Sequence, residues 1–362
     1  MSNTIQIKRS STAAAVPTAG QLAVGELAVN LADRKLYTKN ASNAVVSLTP
    51  DTTPTGGFSF RNRIINGDMR IDQRNAGASV TPTTNAYTLD RWDARLSQAS
   101  KYSVQQSSVA PAGFRNSLLV TSLSAYTVGA SENFLIKQVI EGFNVADLGW
   151  GAAGAQSITL SFVVRSSLTG TFGGSLWNHD GSRSYPFTYT ISAANTFETK
   201  TITILGDTSG TWLITNGAGL NVGFGLGVGS SLSGTAGAWA GSFFPSATGA
   251  VSVVGTSGAT FYITGVQLEA GSVATPFERR PYGTELALCQ RYFQRFSAIA
   301  STTQRVGTTT LLGTMRATPT LTFTFDAGSG ATYNTLADNA SIFQNTAHNT
   351  FAAALILAST EL

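Results

Sequence analysis

Four aspartates and four arginines alternate along a short part of the sequence, and together they could carry out acid–base chemistry or bind a cation. They are Asp68, Asp72, Asp90 and Asp93, interleaved with Arg63, Arg70, Arg74 and Arg91. Two carboxylates flanking a sugar bond form the machinery of a glycosidase, and clustered carboxylate oxygens can hold calcium. Because a cation stands beside almost every carboxylate, we favour structural ion pairs over a calcium site or catalysis.

A second set of candidates lies in the sequence WNHDG, in which an aromatic ring, an amide, an imidazole and a carboxylate follow one another. These residues are Trp177, Asn178, His179 and Asp180. Such a turn could bind a sugar, because a ring covers the apolar face of the sugar while polar groups bond to its hydroxyls. An ordinary loop is the favoured interpretation, and the four residues are kept as secondary glycan-binding candidates.

The same side-chain types are concentrated between Ala331 and Phe351, near the end of the chain. The residues concerned are Tyr333, Asn334, Asn339, Phe343, Gln344, His348 and Asn349. Positions 317–362 contain no Lys or Arg, which makes them poorly suited to attract phosphate-rich anions but compatible with neutral sugars. Binding residues often lie in loops on a rigid scaffold, so we predict that these seven residues form the main binding site, in exposed loops between the terminal strands.

The sequence offers few residues for other kinds of catalytic or metal-binding site. The chain has two histidines and one cysteine, Cys289, which argues against a histidine triad, a zinc cluster and an intramolecular disulfide. We interpret Cys289 as a packing residue. We predict no enzymatic activity, no cofactor and no metal.

The composition limits the classes of partner. Hydrophobic residues make up 42% of the chain and charged residues 12%, with a formal net charge of +4. Nucleic-acid binding needs clustered cations, and no Lys/Arg-rich run exists. The longest apolar run, FAAALILA, is far shorter than the ~20 residues that span a bilayer. We therefore expect neither nucleic-acid binding nor membrane insertion. The N-terminal sequence lacks the apolar core of a signal peptide, which predicts synthesis in a cytoplasm.

Short strand-like segments dominate residues 58–277, among them Ile158–Arg165, Thr211–Thr215 and Ala250–Val254, and indicate an all-β sandwich or jelly roll. The segment LNVGFGLGVG (220–229) is unusual, because with a period of two its apolar residues share one face and Asn221 shares the other with four glycines. A glycine face lets another group approach the backbone closely. We favour close packing over a ligand platform on this face.

Besides the β-rich middle part, the sequence contains an N-terminal unit, a helical stripe and a terminal β unit. Residues 1–53 form short apolar runs that are too small to bury a core alone, and the Pro/Gly/Thr-rich TPDTTPTGG (49–57) follows them. Leu286, Cys289, Phe293 and Phe296 then fall on one helical stripe after Thr284, a candidate N-cap. Alternating TPTLTFTFD and the final FAAALILAS predict a small terminal β unit.

One run joins the β sandwich to the terminal β unit and contains most of the helical stripe: TGVQLEAGSVATPFERRPYGTELALCQRYF. It resembles a segment of tail-fibre and receptor-binding proteins of tailed bacteriophages. The runs IINGDMRIDQR, YTLDRWD and IKQVIEG are similar to the jelly roll of that family. GELAVNLADRKLYTK is similar to its virion-attachment module, and MRATPTLTF and LILASTEL resemble its terminal domain. The order and spacing of these motifs are more specific than any one of them.

This resemblance implies a trimeric, non-enzymatic fibre in the virion, made in the host cytoplasm, that attaches the particle to the host surface. The implied domains are a virion-attachment module (1–53), a linker (54–57), a jelly-roll sandwich (58–283), a connecting helix (284–299) and a C-terminal β tip (300–362). The implied partners are two further copies of the chain, a tail or connector protein bound through residues 1–53, and a host glycan or lipopolysaccharide. A polysaccharide-degrading tailspike and a purely architectural fibre or head decoration are the alternatives.

Overall fold

The fold is given by a computed structural model of the chain. It describes residues 7–49, 60–299, 306–310, 315–317, 320–325, 331–334, 341–346 and 353–361. Contacts divide the chain into two compact units, residues 1–56 and 57–362. The finer division of the second unit into a sandwich, a connecting helix and a tip stays a prediction.

The N-terminal unit is a single four-stranded sheet. Its strands are β1 (Lys8–Ser10), β2 (Leu27–Asn30), β3 (Lys35–Lys39) and β4 (Val45–Ser47), paired in that order with β1 and β2 parallel. Leu22, Ala28 and Tyr37 are buried, whereas Val16, Val24 and several other large apolar side chains are exposed. As the sequence predicts, so short a unit buries little apolar surface of its own.

The second unit is built on a β-sandwich. In chain order its strands are β5 (Ala86–Leu89), β6 (Trp92–Leu96), β7 (Tyr102–Ser107), β8 (Ser117–Ser122), β9 (Asn133–Glu141), β10 (Ile158–Ser166), β11 (Gly170–Trp177), β12 (Ser184–Ile191), β13 (Glu198–Ile204), β14 (Ala218–Val228), the short β15 (Ser233–Gly234) and β16 (Ser246–Ala247), and β17 (Thr260–Ala270). One sheet has the order β13-β10-β17-β8-β7 and the other β12-β11-β14-β9-β6-β5; β15 and β16 form a separate pair.

Aromatic side chains from the inner faces hold the two sheets together. Phe162 of β10 lies 5.1 Å from Phe224 of β14 between ring centroids, and Phe172 of β11 lies 6.2 Å from Phe261 of β17. All four rings are buried in one continuous core. Face-to-face packing of this kind defines a sandwich, so the predicted all-β sandwich is confirmed. Two of the predicted strands, 211–215 and 250–254, are instead irregular segments.

The helix predicted from the apolar stripe is shorter than expected. Helix α1 spans Tyr282–Gln290 with Pro281, not Thr284, at the N-cap, and Phe293–Ile299 forms strand β18. The cause is strand pairing, because β18 runs antiparallel to a strand at the end of the chain. Cys289 is buried in a small apolar cluster with Ile65 and with Tyr292, which lies just beyond the end of the helix. This part of the helix therefore buries its apolar side within its own chain, and no neighbouring copy is needed to cover it.

Five further strands follow β18. They are β19 (Val306–Thr310), β20 (Thr320–Phe325), β21 (Ala331–Asn334), β22 (Ser341–Thr346) and β23 (Ala353–Ser359). Together with β18 they form two three-stranded sheets, with the orders β18-β23-β20 and β19-β22-β21. The small C-terminal β region is therefore present, and its first strand lies inside the segment predicted as a helix. No helix among the described residues is long and apolar enough to cross a membrane.

A candidate ligand-binding groove on the outer face of the six-stranded sheet

A groove of about 410 Å³ crosses the face of the six-stranded sheet that points away from the core. Strand pairing sets its floor, because Asp93 of β6 stands opposite Lys137 of β9, and Lys137 opposite Gly223 of β14. Alternate residues of a strand share a face, so these side chains emerge on the same side. The lining residues are Asn85, Arg95, Leu96, Ser97, Asn133, Leu135, Lys137, Trp177, His179, Asp180, Gly181, Asn221 and Phe243.

Lys137 is the charged group at the floor of the groove. It is 7% exposed and its ammonium donates a hydrogen bond of 2.9 Å to the amide oxygen of Asn221. The Asp93 carboxylate is 3.9 Å away, and the Trp177 ring centre 5.8 Å. Burial, helped by the nearby cation of Arg95, lowers the pKa of Lys137 to about 8. The positive charge of Lys137 at the floor is therefore only partly neutralised by other groups of the chain.

Asp93 is shared between two cations. One carboxylate oxygen accepts a hydrogen bond of 2.7 Å from Nε of Arg95, and the same oxygen faces Lys137. Burial raises the pKa of Asp93, against the opposing effect of Arg95 and then of Lys137. The Arg95 side chain is 36% exposed, and no hydrogen bond joins its two terminal nitrogens to the part of the chain that the structure describes. Those nitrogens are available to a ligand.

Trp177 is the last residue of strand β11, and its indole lies against Gly223 of the neighbouring strand β14. A Cβ placed on Gly223 would come within 2.7 Å of the indole, so glycine at that position leaves room for the ring. Phe243 packs edge-on against the indole at 5.5 Å. Because Trp177 is only 6% exposed, it gives the groove a small apolar surface and not an open stacking platform.

The glycine face of β14 is filled by close packing, as predicted. Trp177 covers Gly223, and a Cβ added at Gly225 or Gly227 would meet Ser246 at 2.8 Å or Val254 at 2.6 Å respectively. A bare glycine platform for a ligand is therefore not present on this strand, and the binding surface lies beside it.

The loop after Trp177 forms one wall of the groove. Asn178 is fully buried and holds the loop, since its amide donates to Ser182 Oγ at 2.9 Å and to the carbonyl of Thr211 at 3.1 Å. His179 and Asp180 are exposed at the rim. Hydrogen bonds from Ser182 lower the pKa of Asp180. Of the four secondary candidates, Trp177, His179 and Asp180 line the groove, whereas Asn178 supports it from behind.

The sequence did not single out Arg95, Lys137 or Asn221 as binding residues, although they provide the Arg and Lys side chains of the groove and one of its amides. The residues lie on three separate strands, and only their register brings them together. One signal was available for Asn221, because it is the one polar residue in strand β14, whose other residues are apolar or glycine.

Four of the main candidates lie in strands and not in loops, which corrects the predicted location. Tyr333 and Asn334 belong to β21, and their partners in β22 are Gln344 and Phe343 respectively. Antiparallel pairing of these alternating residues accounts for the difference. Asn339, His348 and Asn349 lie outside the described residues. A receptor-binding role for the seven residues stays a prediction.

The predicted ion pairing of the aspartate set is found in part. Asp68 pairs with Arg70 at 3.1 Å and Asp93 with Arg95, but Arg74 and Arg91 pair with Glu361 near the end of the chain. The carboxylates of Asp72 and Asp90 accept hydrogen bonds from nearby backbone N–H groups, at Asn75 and Gln73 respectively. Within the described part of the chain, no group of three or more His, Cys, Asp or Glu side chains is placed to hold a metal ion.

A larger groove of about 620 Å³ lies within the N-terminal unit, beside the parallel strands β1 and β2. Small and apolar residues such as Ala15, Val16 and Pro17 form much of its wall. Two cations, Lys8 and Arg9, line it, and Lys8 pairs with Glu26 at 2.9 Å. This groove suits a polypeptide segment better than a sugar, because it offers apolar surface beside an edge strand.

Comparisons with known proteins find short stretches of similarity to phage fibres. The chain is 44% identical over 70 residues to the long tail fiber protein Gp37 of Enterobacteria phage T2, which covers 16% of this chain and 5% of that protein. It is 52% identical over 44 residues to Gp37 of Salmonella phage S16, covering 12% and 6%. The chain thus spans a small fraction of the length of these relatives. No protein-family model matches it.

Solved structures that align with the chain include a phage tailspike domain and carbohydrate-binding modules. Tailspike protein 4 of bacteriophage CBA120 aligns over 58% of this chain and 22% of its own, with 10% identity and a TM-score of 0.29. The family 11 carbohydrate-binding module of Clostridium thermocellum covers 51% and 91%, with 12% identity and a TM-score of 0.28. The xylan-binding domain of Paenibacillus barcinonensis covers 55% and 99%, with 11% identity and a TM-score of 0.26. Likeness at this level carries no functional argument, and the sandwich rests on its own strand pairing.

Proposed function

We propose that this chain is part of a bacteriophage tail fibre that attaches the particle to its host by non-covalent binding of a surface glycan, and that the groove on the six-stranded sheet is the binding site. The stretches of identity to two Gp37 long tail fiber proteins support the fibre assignment. The order of the fibre-like motifs along the chain supports it independently.

The observation that carries the binding role is the composition of the groove. Sugar sites combine an apolar surface with a few fixed polar groups that bond to hydroxyls. Here Trp177 and Leu135 are apolar, and Lys137 and Asn221 are held in place by their mutual hydrogen bond. All four of these residues lie on strands, which hold side chains more rigidly than loops do.

We further propose that the groove binds its glycan without cleaving it. A glycosidase needs two carboxylates on either side of the sugar bond, one of them free to act as an acid. Asp180 is the one carboxylate among the residues that line the groove, and it is tied to Ser182 at the rim. Asp93, which lies beside Lys137 beneath the floor, is buried and paired with Arg95. This arrangement favours binding over a tailspike-type hydrolysis.

The remaining parts of the proposal concern assembly. The chain would act as a homotrimer in the virion, with residues 1–53 docked to another tail or connector protein. The exposed apolar side chains of the N-terminal unit, among them Val16 and Val24, and its wide groove support a docking role. Light scattering that gives a monomer mass near 37.8 kDa at micromolar concentration would contradict the trimer.

The binding proposal is tested by filling the groove. Ser97 is an exposed rim residue, so Ser97→Trp places a large ring over the groove with little effect on the core. Thr201→Trp, at an exposed position of the other sheet, is the matched control. We expect Ser97→Trp to reduce binding of the purified protein to host cells by at least about tenfold, and Thr201→Trp to leave it unchanged.

Variants of the C-terminal strands separate the two candidate sites. If Tyr333→Ala or Phe343→Ala abolishes binding while Ser97→Trp leaves it intact, the receptor site lies in the C-terminal region and the groove proposal is wrong.

A further inference from the structure

The floor of the groove carries a positive charge that its own chain does not balance. Lys137 is almost fully buried, yet Asn221, a neutral amide, is its one hydrogen-bond acceptor among the described residues. An ammonium group has three donors, and a buried charge is costly unless it is paired. Asp93 stands 3.9 Å away, beyond the length of a good hydrogen bond.

Asp93 cannot neutralise Lys137 alone, because Arg95 binds the same carboxylate oxygen more closely, at 2.7 Å. The three groups therefore carry one excess positive charge. The lowered pKa of Lys137 agrees with this imbalance, since burial and Arg95 both disfavour its charged form. Asp180, the carboxylate that lines the groove, is 49% exposed at the rim, where solvent screens its charge.

We infer that the occupant of the groove is a glycan unit bearing an anionic group, a carboxylate or a phosphate, held between Arg95 and Lys137. This inference rests on the glycan-binding role proposed above and specifies its ligand. The planar guanidinium of Arg95 uses Nε for Asp93 and leaves its terminal nitrogens for an anion, which such a fork binds in a defined geometry.

The rest of the groove fits the neutral part of such a sugar. Asn85, Ser97 and Asn133 offer uncharged polar atoms for hydroxyl groups, and Leu135 and Trp177 offer apolar surface. The volume of about 410 Å³ falls within the range of small-ligand sites. The sequence had favoured neutral sugars, but that expectation came from the cation-free C-terminal region and not from this groove.

The test is a printed array of bacterial oligosaccharides in three sets: neutral, uronic-acid-containing and phosphorylated. The full chain is compared with Lys137→Met and Arg95→Gln, and Lys200→Met on the opposite sheet is the matched control for the loss of a lysine. Affinities of the glycans retained are then measured by titration calorimetry. We expect wild type to retain anionic glycans, and each groove variant to bind them at least about tenfold more weakly than Lys200→Met.

The outcomes separate this inference from the proposal beneath it. Retention of either anionic set with loss in the groove variants supports the inference, and the set retained identifies carboxylate or phosphate as the anion. Retention of neutral glycans alone, lost in Ser97→Trp, overturns the inference but upholds glycan binding. Anionic binding that is unchanged in both variants also overturns it. No retained glycan in any set would overturn glycan binding and the inference together. Because Arg95 is partly exposed, Arg95→Gln keeps the test decisive if Lys137→Met does not fold.

Discussion

Two buried cations, Arg91 directly before strand β6 and Lys137 in strand β9, mark two ends of one region of the six-stranded sheet, and their charges are neutralised differently. At one end Arg91 lies 3.5 Å from the ring centre of Tyr292 and pairs with Glu361. There the helix and the last residues of the chain cover the sheet. At the other end Lys137 faces the open groove with an amide and a shared carboxylate. A buried cation whose partner comes from its own chain is a structural element, whereas one left partly unpaired in an open groove indicates a ligand.

The covered end should respond most strongly to the loss of its carboxylate. Glu361 is 7% exposed in its side chain and accepts hydrogen bonds from both Arg74 and Arg91. Removing one partner of a buried ion pair typically costs ~3–5 kcal/mol. We therefore expect Glu361→Gln to lower the free energy of unfolding by about that amount, measured by chemical denaturation.

Glu198→Gln is the matched control, because Glu198 pairs with Lys200 on the other sheet and both side chains are more exposed than Glu361. Surface pairs contribute ~1 kcal/mol or less. Equal losses of stability in the two variants would show that the C-terminal residues do not close the sheet face as described.

At the open end, Gly223→Ala should act mainly on the groove. The added Cβ would meet the Trp177 indole at 2.7 Å, so the ring must move away from the strand. Overpacking of this kind costs ~1–3 kcal/mol. We expect a loss of stability in that range with reduced glycan binding, measured by thermal denaturation and calorimetry. Gly241→Ala, where no atom lies within 4 Å, is the control and should change neither quantity.

A smaller effect is expected from pH. The charged and titratable groups around Lys137 are Arg91, Asp93 and Arg95 at strand β6, and His179 and Asp180 in the loop. An anionic ligand binds the protonated lysine better than the neutral one. Its affinity is therefore highest below about 8, the pKa of Lys137 in the unliganded protein, and falls as the pH rises above that value. Between pH 7 and 9.5 we expect a loss on the order of tenfold.

The same titration in Lys137→Met should show a much flatter profile. A neutral sugar should also bind with little dependence on pH over this range. If the affinity of wild type for an anionic glycan rises or stays level between these pH values, the ammonium of Lys137 is not in contact with the anion.

The sequence predicted the sandwich because alternation within a strand is a local property. Strand β14, for example, was recognised from its alternating apolar and glycine residues alone. The helix was overextended because Phe293 and Phe296 continue a helical stripe, and only the distant strand β23 reveals that they belong to a sheet. The groove was predicted only in part, because only some of its residues are close to one another in the sequence. Trp177 and His179 are neighbours in sequence, whereas Lys137 and Asn221 meet through pairing between strands that are far apart in the chain.

The most direct test of the account is a structure of the full chain bound to a fragment of the host's surface polysaccharide. We expect a sugar in the groove between the 178–181 loop and strand β6, with an anionic group within hydrogen-bond distance of Arg95 and Lys137. A fragment bound to strands β21 and β22, with the groove empty, would contradict it.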